Sequence, residues 1–447
     1  MAIASLEYSV VGGDHQRFPP VNPPAGGYLS FATVYFYGYM VSVALEGVLR
    51  FLLSKAGAES LFYIRDAFAA AVFFGFIWID LLSTGRAKKL ELFLIWFCAV
   101  YFFYSLLVGR GLFSAVFSIK MMIPVVLGIS IGLRSDGRHL SYGRIYSLVF
   151  WVSVAGVFAN RLYGTFPWQG YEYESAFGVI SSSRLWWMEG GISRLAGFAR
   201  SSVHAAAVIG CFGALALAHS KTRIGFTVVA TAALGALVLT TSKGMLAAFT
   251  LLVFFCASAL YFRRALALKV LLVALLFVAI MLPVLSLVLD RQDLTDAPRF
   301  LGSFVARMIH TWPNAFDASD TVWEVFFGSG FGGVGTPMLM GGDASSFNPA
   351  DNFLMYTYGL FGLFGVLTVL SVFIKALLLR GNDLAIPILA VLCAFIGYGI
   401  TTNHVETPIA MSIFGLVAGY VHSRKSSMSA DGGVAVQATP RDRGKFL

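Results

Sequence analysis

The chain has 447 residues, of which 58% are hydrophobic and only 12% charged, and its mean hydropathy is +0.77. These values exclude an ordinary soluble domain and a disordered chain, and they call for a polytopic all-α membrane protein. The +9 net charge sits largely in short connections between apolar runs, so it reports on topology, and no nucleic-acid partner is expected.

Residues 1–28 are polar and proline-rich, without the charged segment and short apolar stretch of a cleaved signal. They read as a cytoplasmic segment, with the first span acting as the targeting element. At about 20 residues per crossing, the apolar runs predict twelve spans within a membrane domain over 29–421. The spans fall near 29–53, 62–84, 91–109, 112–133, 145–162, 202–219, 223–241, 243–262, 270–289, 353–378, 384–401 and 407–421. The basic tail 422–447 reads as disordered and cytoplasmic. Cys98, Cys211, Cys256 and Cys393 lie inside apolar runs with no metal-ligand spacing, which points to core positions rather than a disulfide or zinc site.

Connections after even-numbered spans hold Arg86, Lys88, Lys89, Arg134, Arg138, Arg144, Arg263 and Arg264. Short loops on the other side hold only Lys55, Arg110 and Lys243. The basic side is cytoplasmic by the positive-inside rule, so both long connections, 163–201 and 290–352, are expected outside. They contain Trp168, Trp186, Trp187, Trp312 and Trp323, together with a glycine-rich run "FGSGFGGVGTPMLMGGDASS". No strand and helix flank that run as a dinucleotide fingerprint needs, so it is expected to lie as an irregular loop against the membrane surface. Arg50, Arg65 and Asp66 fall in or beside early spans. Neighbours on a helix point in different directions, so one of Arg65 and Asp66 is expected to line a cavity and the other to reach the interface.

Two cations on the outer side stand at positive helix ends. Arg200 precedes "SSVHAAAV", where Ser201 or Ser202 can cap the sixth span. Lys243 follows Thr241 and Ser242, either of which can cap the eighth. A helix N-terminus already carries about half a positive charge, and an anion bound between the two ends would relieve the conflict. Arg184, Arg194, Arg299 and Arg307 lie on or near the same side, and an outward anion at membrane depth suggests a lipid diphosphate. Arg184, Arg194, Arg200 and Lys243 form the expected diphosphate set.

These segments also resemble a family. "RLAGFARSSVHAA" is similar to the Arg-x-x-Gly-Phe segment that opens a membrane span in the O-antigen polymerase and O-antigen ligase superfamily. "LTTSKGMLAAF" resembles its Thr-x-Ser-Arg-Gly segment, and "GSGFGGVG" with "DNFLMYTYGLFGLFG" resembles its glycine-rich and His-Asn-x-x-Leu segments, all in family order. The resemblance implies a GT-C-like fold. It also implies transfer of a glycan from undecaprenyl diphosphate at the periplasmic face of the bacterial inner membrane, with no sugar nucleotide. Arg194 matches the family arginine, and the glycan that the resemblance implies makes Trp186, Trp187, Tyr171, Tyr173 and Asn352 the expected sugar contacts. Lys243 stands where arginine is usual, a point charge in place of a bidentate fork. Asp351 stands where ligases typically have histidine; it would orient or deprotonate an acceptor hydroxyl, or cap the tenth span with Asn352.

No Asp-x-Asp metal signature is present, so cations are expected to take the metal's place and no cofactor is expected. The expected catalytic residues are Arg194, Arg307, Asp351, His310 and Glu189, with Glu172, Glu174 and Asp343 as further bases. His310 lies three residues after Arg307, on the same face of an α-helix. His404 and Glu406, in the last outer loop, are within reach of the same site. Three function classes stay open: a polymerase of lipid-linked repeat units, a ligase moving a finished glycan, and a flippase. Charges gathered in outer loops favour an enzyme, and Asp351 in place of histidine leans towards the polymerase. Its expected partners are the lipid-linked oligosaccharide, membrane lipid, a chain-length regulator and a flippase.

Overall fold

In lipid only a helix or closed barrel satisfies its own backbone, so apolar runs of this length form helices. The computed structural model describes residues 25–428 apart from 136–142, 176–177, 188–190, 192, 263, 290–297, 299–300, 318–320, 341–346 and 381. The chain opens with α1 (Ala25–Ala44), α2 (Glu46–Lys55), α3 (Leu61–Thr84), α4 (Lys89–Leu107), α5 (Leu112–Arg134) and α6 (Gly143–Tyr163). The first long connection forms two antiparallel pairs, β1 (Glu172–Ser175) with β2 (Gly178–Ser181), and β3 (Trp186–Trp187) with β4 (Ser193–Arg194). Then come α7 (Ser202–Ala218), α8 (Arg223–Thr240), α9 (Lys243–Tyr261) and α10 (Leu266–Leu285). The second long connection holds α11 (Gly302–Ala306), a π-helical turn (Arg307–Thr311), α12 (Trp312–Asp317), α13 (Val322–Phe327) and α14 (Thr336–Met340). The bundle closes with α15 (Phe353–Leu377), α16 (Asn382–Gly399) and α17 (Pro408–Met428).

Among the described residues, eight helices are long and apolar enough to cross a bilayer, or nine if α1 and α2 count as one bent span. Helix α7 is shorter and almost wholly buried. It is apolar on every face, as an interior helix must be, and it packs on α6, α8, α9 and α16.

The expected single span 29–53 breaks instead, by 82° at Leu45. Carrying Glu46 and Arg50 straight on would place both charges in lipid. The bend turns them inward, where they pair at 2.8 Å and are buried. At the other end of α3, Arg134 joins α5 to Asp80 (2.6 Å) and Glu91 (2.5 Å).

The first part of the glycine-rich run does not lie on the membrane surface, and its end, 341–346, is outside the described residues. Residues 328–335 are buried among α4, α5 and α15. Helix α15 is interrupted at Gly362 (φ 61°, ψ −158°), which frees carbonyls one turn earlier. The backbone N–H of Ser329 donates to Gly359 O (2.8 Å) and that of Gly330 to Leu360 O (3.1 Å), while Phe331 N–H donates to Ser105 Oγ (2.6 Å). A buried loop is tolerated because its backbone groups and those of the broken helix satisfy each other. Gly330 has φ 77°, and a Cβ there would lie 2.6 Å from Ser105 Oγ. Gly330→Ala should therefore cost about 1–3 kcal/mol, read as a lower thermal midpoint in detergent; an unchanged midpoint would mean the loop can shift freely.

Candidate functional site

Both long connections converge on a cavity of about 870 Å³, at the end of the bundle where α8 and α16 finish and α7, α9 and α17 begin. Its size is near the upper end of the ~300–1,000 Å³ common for small-molecule sites.

Residues 193–201 form one wall. Strand β4 pairs Arg194 with Trp186, and the Arg194 guanidinium lies 5.3 Å from the Trp186 ring centre. The following backbone is pinned on several sides. Phe198 O accepts from Gly47 N–H (3.0 Å), Gly197 O from the Trp168 indole (3.0 Å), and Arg200 O from Arg184 N–H (2.7 Å). Gly197 is left-handed (φ 59°), and a Cβ on it would sit 2.8 Å from the α6 backbone at Gly156 and Val157. Only glycine lets Arg194 and Arg200 approach this closely to the bundle.

Ser201 is the cap of α7, its side chain accepting from His204 N–H (3.3 Å). At α9 the N-cap is Ser242, with no side-chain cap bond, and its hydroxyl donates instead to Tyr398 Oη (3.0 Å). Thr241 before it is left-handed (φ 55°). Two helix N-termini and the cations beside them thus open on one cavity.

Among the described residues, eight Lys and Arg line it: Arg50, Arg65, Lys120, Arg184, Arg194, Arg200, Lys243 and Arg307. Four carboxylates face them, those of Glu46, Asp66, Asp351 and Glu406, leaving a formal excess of four positive charges. Burial, reinforced by nearby Arg50 and opposed by Glu46, pushes the Arg200 guanidinium down to about 10, so it stays charged at neutral pH. Burial also lowers Arg194, with Arg307 adding to the effect and Tyr398 opposing it. Arg194 Nε, Arg307 Nε, Arg65 Nη1 and His204 Nε2 are buried without a hydrogen-bond partner in the protein. Such polar groups are costly to bury unless something bonds to them.

The deep wall belongs to α2, α3 and α5. Arg65 pairs with Asp66 (3.1 Å) and Glu46 (3.7 Å), Lys120 pairs with Asp66 (3.4 Å), and Tyr39 Oη donates to Asp66 Oδ1 (3.3 Å). Arg65 and Asp66 do not diverge as expected, since both line the cavity. The long arginine folds back over the Phe62 ring (4.3 Å) to reach its neighbour.

Nearer the mouth, the carboxylate of Asp351 meets Arg307 Nη2 at 3.1 Å. Ala350 and Asp351 have positive φ (53° and 29°), and Asp351 N–H closes a three-residue turn on Pro349 O (2.7 Å). A left-handed non-glycine residue costs about 1–3 kcal/mol, and here the turn presents Asp351 to a π-helical turn, a feature frequent at functional sites. Glu406 is fixed by three donors: Thr336 N–H (2.7 Å), Thr336 Oγ1 (2.5 Å) and Tyr356 Oη (3.1 Å).

Of the expected site residues, Arg184, Trp186, Arg194, Arg200, Lys243, Arg307 and Asp351 line this one cavity. Other expected contacts lie elsewhere. Tyr171 packs edge-on against Phe51, and Tyr173 Oη accepts from Arg50 behind the wall. Trp187 pairs with Ser193 and does not line the cavity. His310 is exposed and outside the lining, as are Glu172 and Glu174 of β1. Asn352, not Asp351, caps α15: its Oδ1 accepts from Leu354 and Met355 N–H, and its Nδ2 donates to Ala279 O and Ile400 O. With those bonds made and no exposed surface, Asn352 has no capacity left for a sugar. Glu189, Arg299 and Asp343 lie outside the described residues. His404 is a structural residue: burial pushes it down to about 4, so it is neutral, and Nε2–H donates to Phe395 O (2.8 Å).

Glu46, Lys120 and His204 are lining residues that the sequence reading missed. The signal for Lys120 was present, because a lone charge inside an apolar span marks a functional position by default. Comparison with protein-family models, with curated proteins and with solved structures gave no match for this chain.

Proposed function

We propose that the chain is a polymerase that joins undecaprenyl-diphosphate-linked oligosaccharide units at the periplasmic face of the bacterial inner membrane. The observation that carries this reading is the cavity at one end of an apolar bundle, lined among the described residues by eight cations against four carboxylates, with two helix N-termini opening on it. That chemistry suits a doubly charged lipid head group at membrane depth. Twelve crossings follow if α7, α16 and α17 also span and α1 with α2 counts as one, and a GT-C-like arrangement is part of the same proposal.

In this reading Arg194, Lys243 and Arg307 hold the donor diphosphate and stabilise charge as the bond between the anomeric carbon and the phosphate oxygen breaks. An acceptor hydroxyl forms the new bond to that carbon from the opposite face, inverting it, and passes its proton to Asp351. The lipid diphosphate leaves with the electron pair. Asp351 suits the role because its side chain is 33% exposed and faces one ion-pair partner, whereas Glu46, Asp66 and Glu406 are each engaged by two or more groups. The Trp186 ring offers a stacking face beside Arg194.

Deleting the gene and profiling lipid-linked glycans tests the reading. Single lipid-linked units should accumulate, whereas long lipid-linked chains would overturn it in favour of a ligase. Asp351→Asn should slow transfer by about 10²–10⁴-fold with diphosphate affinity retained; a normal rate would exclude Asp351 as the base.

A further inference from the structure

The charges in the cavity wall fall into two groups that meet at the Trp186 ring, over which Arg184 (5.8 Å) and Arg194 (5.3 Å) both lie. One group joins the π-helical turn to the loop before α15 through Arg307 and Asp351. Arg194 stands in the field of Arg307, and Lys243, the first residue of α9, lines the same cavity. The second group is a continuous chain of ion pairs through α2, α3 and α5, with contacts of 2.8–3.7 Å linking Arg50, Glu46, Arg65, Asp66 and Lys120. Arg200 belongs with it, standing in the fields of Arg50, Glu46, Arg184 and Glu406.

Each group is separately cation-rich. Among the described lining residues, the first sets three cations against Asp351, and the second sets five against Glu46, Asp66 and Glu406. Each also keeps buried nitrogens without a hydrogen bond: Arg194 Nε and Arg307 Nε in the first, and in the second His204 Nε2 together with Arg65 Nη1, whose nearest carboxylate, Glu46, stands 3.7 Å away. A diphosphate diester carries one negative charge per phosphate, which balances one group and leaves the other uncompensated in a poorly solvated wall. Such an imbalance is costly.

We propose a second oxyanion subsite, formed by Arg65, Lys120, Arg184 and Arg200, that is filled at the same time as the diphosphate site at Arg194, Lys243 and Arg307. This rests on the polymerase reading, in which the acceptor is itself lipid-linked. The second oxyanion is then either the acceptor's diphosphate or an acidic group on its sugars. Lys120 lies eight residues into α5, about 12 Å along the helix from its start. Phe117, Met121 and Pro124 continue on the same lining face. A cation with an apolar stripe along its helix fits a lipid diphosphate and the first part of its chain.

The test is equilibrium binding of inorganic pyrophosphate to the purified full chain in zwitterionic nanodiscs. Two pyrophosphates per chain are expected, falling to one in Lys120→Met and to a different one in Arg194→Gln, while Lys120→Arg keeps two. A single site in the wild type would overturn the second subsite and leave the polymerase reading standing, whereas no binding at all would overturn both. Competition then separates the sources. Glucuronate displacing only the Lys120-dependent pyrophosphate identifies an acidic sugar, and farnesyl diphosphate displacing both identifies a second lipid diphosphate. Loss of both sites together in Lys120→Met, in protein that elutes normally, would refute two separate subsites.

Discussion

Arg194→Gln should lower glycan transfer by about 10²–10³-fold, the usual loss when one preorganised charge donor is removed from a developing anion. Arg194 is held on strand β4 beside Trp186, its Nε is buried without a partner, and Arg307 lies close enough to lower its affinity for a proton. Two guanidinium groups kept this near each other repel until an anion lies between them, so an arriving diphosphate gains from both. Arg194→Lys should retain part of the activity, because the charge survives while the planar fork is lost. Arg86→Gln, on an exposed connection away from the cavity, should leave transfer unchanged. The measurement is chain elongation by purified protein supplied with lipid-linked units, with protein abundance checked for each variant. Near-normal elongation by the glutamine variant would remove Arg194 from the diphosphate site.

How far the site was legible depends on the kind of signal each residue carries. Arg194, Arg200, Lys243 and Arg307 stand out because they are cations in connections that the positive-inside rule assigns to the cation-poor side, and charge placement is read directly from sequence. Glu46 and Arg50 were hidden inside a stretch whose summed hydropathy still resembles a span. Hydropathy does not report the 82° bend that turns them inward. His310 was placed by α-helical spacing from Arg307, but residues 307–311 form a π-helical turn, whose wider winding breaks the three-residue register, and His310 ends exposed. Trp186 and Trp187 were equivalent as a pair, yet they are neighbours on a strand, where successive side chains point to opposite faces, and only Trp186 lines the cavity. The helices themselves were the easy part. The expected spans 202–219 and 353–378 correspond to Ser202–Ala218 and Phe353–Leu377 within a residue or so, since a long apolar run leaves the backbone little choice.

Gly415→Leu should destabilise the protein more than any single change on the lipid-facing surface. Helices α5 and α17 each carry two glycines four residues apart, Gly128 with Gly132 and Gly415 with Gly419, and the two pairs face one another. A Cβ at Gly415 would lie 2.2 Å from Val125 O, and one at Gly132 would lie 2.2 Å from Leu416 O, so backbone meets backbone across the crossing. In lipid no hydrophobic force holds helices together, and close packing at small residues takes its place. A leucine must push the helices apart. Overpacking typically costs about 1–3 kcal/mol, and the cost here should reach at least the top of that range because the obstruction is main chain rather than a side chain that can rotate. Separation would also reach the cavity, since α5 carries Lys120 and α17 begins with Pro408 in the lining. Gly415→Ala should fall between the wild type and the leucine variant. Gly38→Leu on α1, where an added Cβ meets nothing within 4 Å, should leave the thermal midpoint in detergent almost unchanged. If Gly415→Leu melted with the wild type, the close crossing of α5 and α17 would be refuted, and with it the rigid frame that sets the depth of Lys120.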